Sequence, residues 1–106
     1  MNAKKIISTY AKTDISDASK WYEKQQKGLG TRFLNEIKIA FDIISENPKI
    51  FQIRYEDYRI YYMSIFPYTI HYQYIADRNE ILIKAVFHMA RNPQVWEQRN
   101  KINYEI

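Results

Sequence analysis

The chain contains no cysteine, and only two histidines, two glycines and three prolines occur among its 106 residues. Without cysteine there is no disulfide framework, thiolate nucleophile, zinc knuckle or iron–sulfur site, and two histidines alone do not build a usual transition-metal site. No apolar stretch approaches the roughly 20 residues that span a bilayer. Met1-Asn2-Ala3-Lys4-Lys5 leads into a strand-like run instead of a signal-peptide core. A cytoplasmic protein is therefore expected, with no cofactor and no membrane partner. The length suits one domain, 1–106, because folded units usually run to roughly 100–150 residues. What the chain does have is tyrosine, ten in all, with 16 Lys+Arg against 12 Asp+Glu and a net charge of +4. Tyr and Arg together suit an interface with protein or nucleic acid, and a charge of this size selects neither.

Lys4-Lys5-Ile6-Ile7-Ser8-Thr9-Tyr10 is short and β-branched and predicts an opening strand, with polar cap candidates following in Ala11-Lys12-Thr13-Asp14. From Thr13 or Asp14, the residues Ile15, Ala18, Trp21, Tyr22 and Gln25 fall on one helical face, and Lys20, Lys24 and Lys27 crowd its last turn. Gly28 ends this helix and Thr31 is the expected cap of the next. The second helix carries Phe33/Leu34, Ile37, Ala40/Phe41 and Ile44 and stops at Glu46-Asn47-Pro48. Thereafter the period is 2. Strands are expected over Ile50–Arg54, Tyr58–Ile65, Tyr68–Ile75 and Glu80–Phe87, joined by short turns into an antiparallel meander. The fold class is α+β, in the order β-α-α-β-β-β-β, with the helical hairpin on one face of the sheet.

Strict alternation puts Tyr68, Ile70, Tyr72 and Tyr74 on the core face of the penultimate strand, and Thr69, His71, Gln73 and Ile75 on the other. In the last strand it separates Ile81, Ile83, Ala85 and Phe87 from Leu82, Lys84, Val86 and His88. A wetter face collecting His71, Gln73, Lys84 and His88 is expected, open to a partner or substrate. For Tyr58, Tyr61, Tyr62, Tyr72 and Tyr74, packing within the sheet is the commoner fate of strand aromatics than base stacking. Gly28-Leu29-Gly30 joins two helices and lacks the third glycine and the lysine of a phosphate loop.

Several segments, in order, resemble the RelE/ParE superfamily of type II toxin–antitoxin systems. They are Trp21-Tyr22-Glu23-Lys24-Gln25 with Gly28-Leu29-Gly30-Thr31-Arg32-Phe33, then Asn47-Pro48, then Phe66-Pro67-Tyr68-Thr69-Ile70-His71-Tyr72. The last is Ala85-Val86-Phe87-His88-Met89-Ala90-Arg91-Asn92-Pro93 followed by Trp96 and Arg99. The similarity runs from about Ala11 to Arg99, leaving 100–106 as a tail, and favours the ParE-like branch. It implies a toxin of the plasmid-stabilisation type that inhibits bacterial growth, with DNA gyrase or another essential component as the target and a cognate antitoxin as partner. It further implies an antitoxin helix in the groove of the helical hairpin. Trp21, Tyr22 and Phe33 would flank that groove, with Trp96 and Arg99 as further partner-binding candidates.

The RelE-like alternative is a ribosome-dependent endoribonuclease cleaving mRNA by attack of a ribose 2′-hydroxyl. That reaction needs a base, an acid and cations for the phosphate. His88, Arg91 and Arg59 are the candidates. Each has a structural alternative: His88 fixes the C-terminal turn through a backbone hydrogen bond, and the arginines pair with Asp57, Glu80 or Glu97. Thr69 stands where the RelE-type pattern carries an arginine, and Trp96 stacks on bases but exchanges no proton. A non-toxic binding module of the same fold is the third possibility.

Overall fold

The computed structural model describes residues 2–90. Strand β1 (Lys4–Ile7) leads to α1 (Thr9–Gln25) and α2 (Leu29–Glu46). These are followed by β2 (Ile53–Tyr55), β3 (Tyr58–Tyr62), β4 (Tyr68–Ile75), a 3-10 turn at Ala76–Arg78 and β5 (Glu80–His88). The strands form one sheet in the order β1-β5-β4-β3-β2. The expected β-α-α-β-β-β-β order is therefore the observed one. The meander is antiparallel throughout, and β1 adds to it as a parallel edge strand beside β5, with Lys4 opposite Glu80 and Ile7 opposite Ile83.

The first helix starts earlier than its polar residues suggest. Ser8 is the cap: its hydroxyl accepts from the Ala11 amide at 3.1 Å and donates to the Lys84 carbonyl at 3.0 Å, while its own amide donates to Ile83 O. Thr9 and Tyr10 are thereby helical, because a buried cap tied to β5 outweighs the β preference of two residues. Asp14 lies inside α1, where its carboxylate accepts from the Val86 amide at 3.0 Å. The second helix is capped from a distance. Gly28 takes the left-handed conformation at φ +88°, and the Glu23 carboxylate accepts from the Gly28 and Gly30 amides at 3.0–3.1 Å. That carboxylate satisfies amides at the start of α2, so the helix begins before Thr31, the expected cap, which sits inside it.

Two strands are shorter than alternation predicts. Of Ile50–Arg54 only Ile53 and Arg54 belong to β2, in which Ile53 and Tyr55 pair with β3 across an irregularity at Arg54, because the Arg59 guanidinium binds the Lys49 and Phe51 carbonyls at 3.3 and 2.7 Å and holds the preceding segment as a loop. Likewise β3 stops at Tyr62. The Met63 amide donates to Tyr68 O across the Ser64–Pro67 loop, which turns through a Tyr68 amide bond to Phe66 O at 2.8 Å.

The core lies between the helices and one sheet face. Phe33, Ile37, Ala40, Phe41 and Ile44 of α2 meet Ile70 and Tyr72 of β4 and Ile81, Ile83 and Val86 of β5. Val86 replaces the expected Ala85 and Phe87 there for a specific reason. Tyr72 pairs with Ile83 but His71 with Ala85, so Lys84 is an extra residue in β5, a bulge that reverses the side-chain parity of everything after it. Asp14 and Ser8 bond to the backbone on both sides of Lys84 and pin the bulge to α1.

Tyr72 is wholly buried and donates to Pro48 O at 2.9 Å, and burial pushes its phenol up to about 12. An unfolded tyrosine ionises near 10. Below that pH both states hold the proton and stability is unaffected. Between 10 and 12 the unfolded chain loses its proton while the folded chain keeps it, so stability falls as pH rises, by roughly 2–3 kcal/mol in all. Burial raises Tyr22 and Tyr58 too, which adds to the same trend, whereas it lowers Lys84, which opposes it. Denaturation midpoints followed from neutral to alkaline pH should show this fall, and Tyr72→Phe should flatten it.

Candidate functional site: an aromatic cleft at the end of the hairpin

The reversal of parity moves His88 away from His71 and onto the helix side of the sheet. It lies opposite Tyr68, with the two rings edge to face at 5.2 Å. Trp21, Tyr22, Pro67, Tyr68 and His88 line an open cleft of about 440 Å³. Trp21 is 56% exposed and meets Tyr22 edge to face at 5.1 Å, and Tyr22 approaches Tyr68 at 6.2 Å. The floor is Phe33, stacked on Tyr22 at 5.4 Å and edge-on to Phe66 and Tyr68, each at 5.1 Å. Offset and edge-to-face contacts of this kind fix ring orientation beyond simple burial. Phe33 itself is fully buried. Expected to flank the partner groove, Phe33 here lies beneath it and supports Tyr22 and Tyr68 from below.

His88 makes the contact of its structural alternative. Its Nδ1 accepts from the Ala90 amide at 3.0 Å, which fixes the turn after β5 and leaves the neutral ring's proton on Nε2. The cleft thus offers three aromatic walls and one N–H donor at its rim. Burial raises the Tyr22 phenol, so that hydroxyl stays protonated at neutral pH. Such a surface suits flat or apolar groups.

Of the ribonuclease candidates, Arg59 and His88 are not brought together. Arg59 lies opposite Tyr72 and His88 opposite Tyr68, four residues and about 13 Å apart along β4. The Arg59 guanidinium is occupied by the Phe51 and Lys49 carbonyls rather than by Asp57 or Glu80. Arg91, Trp96 and Arg99 lie outside the described residues.

The face expected to be wet is partly dry. Gln73 donates to Asp57 at 2.7 Å, and Lys84, half-buried and shifted down by that burial, feels the same carboxylate. His71, by contrast, is fully buried, with Nδ1 2.9 Å from the Tyr55 hydroxyl and Nε2 2.8 Å from Thr69 Oγ1. The Thr69 hydroxyl donates to Phe87 O at 3.3 Å, so it accepts from Nε2–H, and Tyr55 donates to Nδ1. Most strand tyrosines pack within the fold: Tyr58 and Tyr72 are buried, Tyr61 and Tyr74 half-buried, and Tyr62 lies near Arg54.

A small α+β protein with an open aromatic cleft is the class that fold and site define. The family model described as the ParE toxin of the type II toxin–antitoxin system, parDE, matches residues 6–93. The chain belongs to that family, a toxin family of systems in which an antitoxin is the partner. No curated protein matches the chain. Among the described residues no helix is long and apolar enough to cross a membrane.

Proposed function

We propose that this protein is a growth-inhibiting toxin that acts in the cytoplasm by engaging DNA gyrase or another essential protein target, without cleaving RNA, and is neutralised by a cognate antitoxin. The observation that carries the choice within the superfamily is the separation of Arg59 and His88. Arg59 is spent on backbone carbonyls, and His88 holds a turn amide beside Tyr68. Phosphoryl transfer needs its acid, base and cation converging on one phosphate. The aromatic cleft and the exposed Lys20, Lys24 and Lys27 at the end of the hairpin suit an acidic amphipathic partner segment, with charge speeding the encounter and aromatic burial holding it.

Induced expression in a bacterium should arrest growth with transcripts intact and the DNA-damage response raised. Co-expression of the antitoxin should restore growth. Codon-linked new 5′ ends in mRNA would replace this reading with the ribonuclease one, and harmless expression of the folded protein would leave a non-toxic binding module. Trp21→Ala should leave stability within about 0.5 kcal/mol of wild type, as at other exposed sites, while weakening antitoxin binding by at least about tenfold, as an aromatic hot spot would.

A further inference from the structure

The aromatic cleft has a cationic border. Between residues 20 and 32, at the end of the hairpin, Lys20, Lys24, Lys27 and Arg32 are all exposed, against the single carboxylate of Glu23. Glu23 is taken by the Gly28 and Gly30 amides, and among the described residues no ion pair engages any of the four cations. Lys20 precedes Trp21 in α1 and Lys24 follows it by three residues, the spacing at which helical side chains are neighbours. Lys20 and Lys24 are themselves four apart, so their charges repel, and an anion bound between them relieves that repulsion. The lining of the cleft is flat and carries no carboxylate. Trp21 meets Tyr22 nearly at right angles, at 83°, so Tyr22 covers at most one face of an indole that is 56% exposed. The polar groups on offer include two pure donors, the indole N–H and the His88 Nε2–H.

We propose that this cleft binds a nucleotide, with the base stacked on the Trp21 indole and facing the Tyr68–His88 wall, and the phosphate against Lys20 and Lys24. A nucleobase has a π-face for the indole, and its ring nitrogens and carbonyl oxygens accept from N–H donors. The phosphate supplies the anion that the lysines lack. An apolar side chain would use the rings and leave the donors and lysines unmet, and inorganic phosphate would use the lysines and leave the rings bare. The volume of about 440 Å³ is within the roughly 300–1,000 Å³ of small-molecule sites. A duplex keeps its bases stacked out of reach, so the ligand is a free nucleotide or an unpaired nucleotide of a single strand. The partner segment proposed above uses the same cleft, so nucleotide and partner exclude each other there. Nucleotide binding itself rests on the cleft and its lysines, not on the toxin reading, and the two fail separately.

The test uses the full chain, labelled with nitrogen-15, with the Trp21 indole signal identified by its loss in Trp21→Phe. AMP should shift that signal and the amides of Tyr68 and His88 saturably, and ribose 5-phosphate, which has no base, should not. Adenosine should bind several-fold more weakly than AMP, and added salt should weaken AMP alone. Trp21→Ala should weaken AMP about tenfold, the scale of one lost base–aromatic stack. Lys20→Gln/Lys24→Gln should bring AMP down to the affinity of adenosine and leave adenosine unchanged. A short single-stranded adenylate oligomer separates the two sources: tighter binding than AMP at equal nucleotide concentration assigns the site to an unpaired strand, and equal or weaker binding to the free nucleotide. Cleft signals that stay in place with AMP at millimolar concentration overturn the proposal. So do ribose 5-phosphate shifting them as far as AMP does, and equal affinities for AMP and adenosine.

Discussion

Phe33→Ala is expected to lower folding stability by about 4 kcal/mol, the upper range for removing a fully buried aromatic ring. A domain of this size holds roughly 5–15 kcal/mol in total, so this one change takes a large share and should depress Tm by about 15–30 °C. The ring has no solvent face and contacts Tyr22, Phe66 and Tyr68, so its removal leaves a void bounded by other rings that stack on it. Rigid aromatic neighbours collapse poorly into such a void, which places the cost near the top of the range. Phe33→Leu keeps most of the volume and should cost less than half as much. Urea titration of the three proteins measures both. The functional readout follows from geometry: without the floor, Tyr22 and Tyr68 lose their relative orientation, and the cleft should bind a partner more weakly even where the variant remains folded. If Phe33→Ala costs less than about 1.5 kcal/mol, the ring is not the support described here.

The element order was legible because each period is long enough to be unambiguous. Phe33, Ile37, Ala40, Phe41 and Ile44 repeat over α2, and Tyr68–Ile75 alternates for a full strand. What was hidden depends on contacts distant in sequence. Nothing in Ser8-Thr9-Tyr10 announces a helix start; the cap works because Lys84 and Ile83, more than seventy residues on, take its remaining bonds. The Glu23 cap of α2 is similarly a side chain of the preceding helix, outside the local pattern that favours Thr31.

The bulge was the costliest omission for the site, since one extra residue decides which face His88 joins. A signal existed in Lys84-Ala85-Val86-Phe87. A lysine followed by three consecutive apolar residues breaks alternation, and a strand buried on both faces after a bulge satisfies it. With parity reversed, the expected polar cluster of His71, Gln73, Lys84 and His88 divides in two. His88 goes to Tyr68 and the cleft, and His71 goes to a dry hydrogen-bonded chain with Tyr55 and Thr69. The Phe66-Pro67-Tyr68 run carried the rest of the cleft in plain view. Its meaning depended on Trp21 and Tyr22 meeting it in space, which no spacing in the sequence states.

Gly30→Ala is expected to destabilise the protein by about 3 kcal/mol, against the sign that helix propensity gives. Gly30 lies in the first turn of α2, where alanine would ordinarily gain up to about 1 kcal/mol over glycine. A methyl group there would sit 2.5 Å from the Ser19 carbonyl oxygen and 3.0 Å from Glu23 Cβ and Oε1. The first of these is backbone in the middle of α1, so relief requires the two helices to separate, and overpacking of this kind costs about 1–3 kcal/mol or more. Separation would also lengthen the 3.0 Å bond from the Gly30 amide to Glu23, leaving first-turn amides of α2 without their acceptor. Gly28→Ala is the matched control. Its methyl meets nothing within 4 Å, and only the left-handed backbone at φ +88° penalises it, by about 1 kcal/mol. The two glycines are two residues apart and would be indistinguishable by composition or propensity, yet their costs should differ about threefold, one steric and one conformational. Because α1 carries Trp21 and Tyr22 while α2 carries Phe33, Gly30→Ala should also weaken partner binding at the cleft, and Gly28→Ala should not. A neutral or stabilising Gly30→Ala would mean that α1 and α2 can spread at no cost, and the close approach at Ser19 would then have no part in holding the cleft.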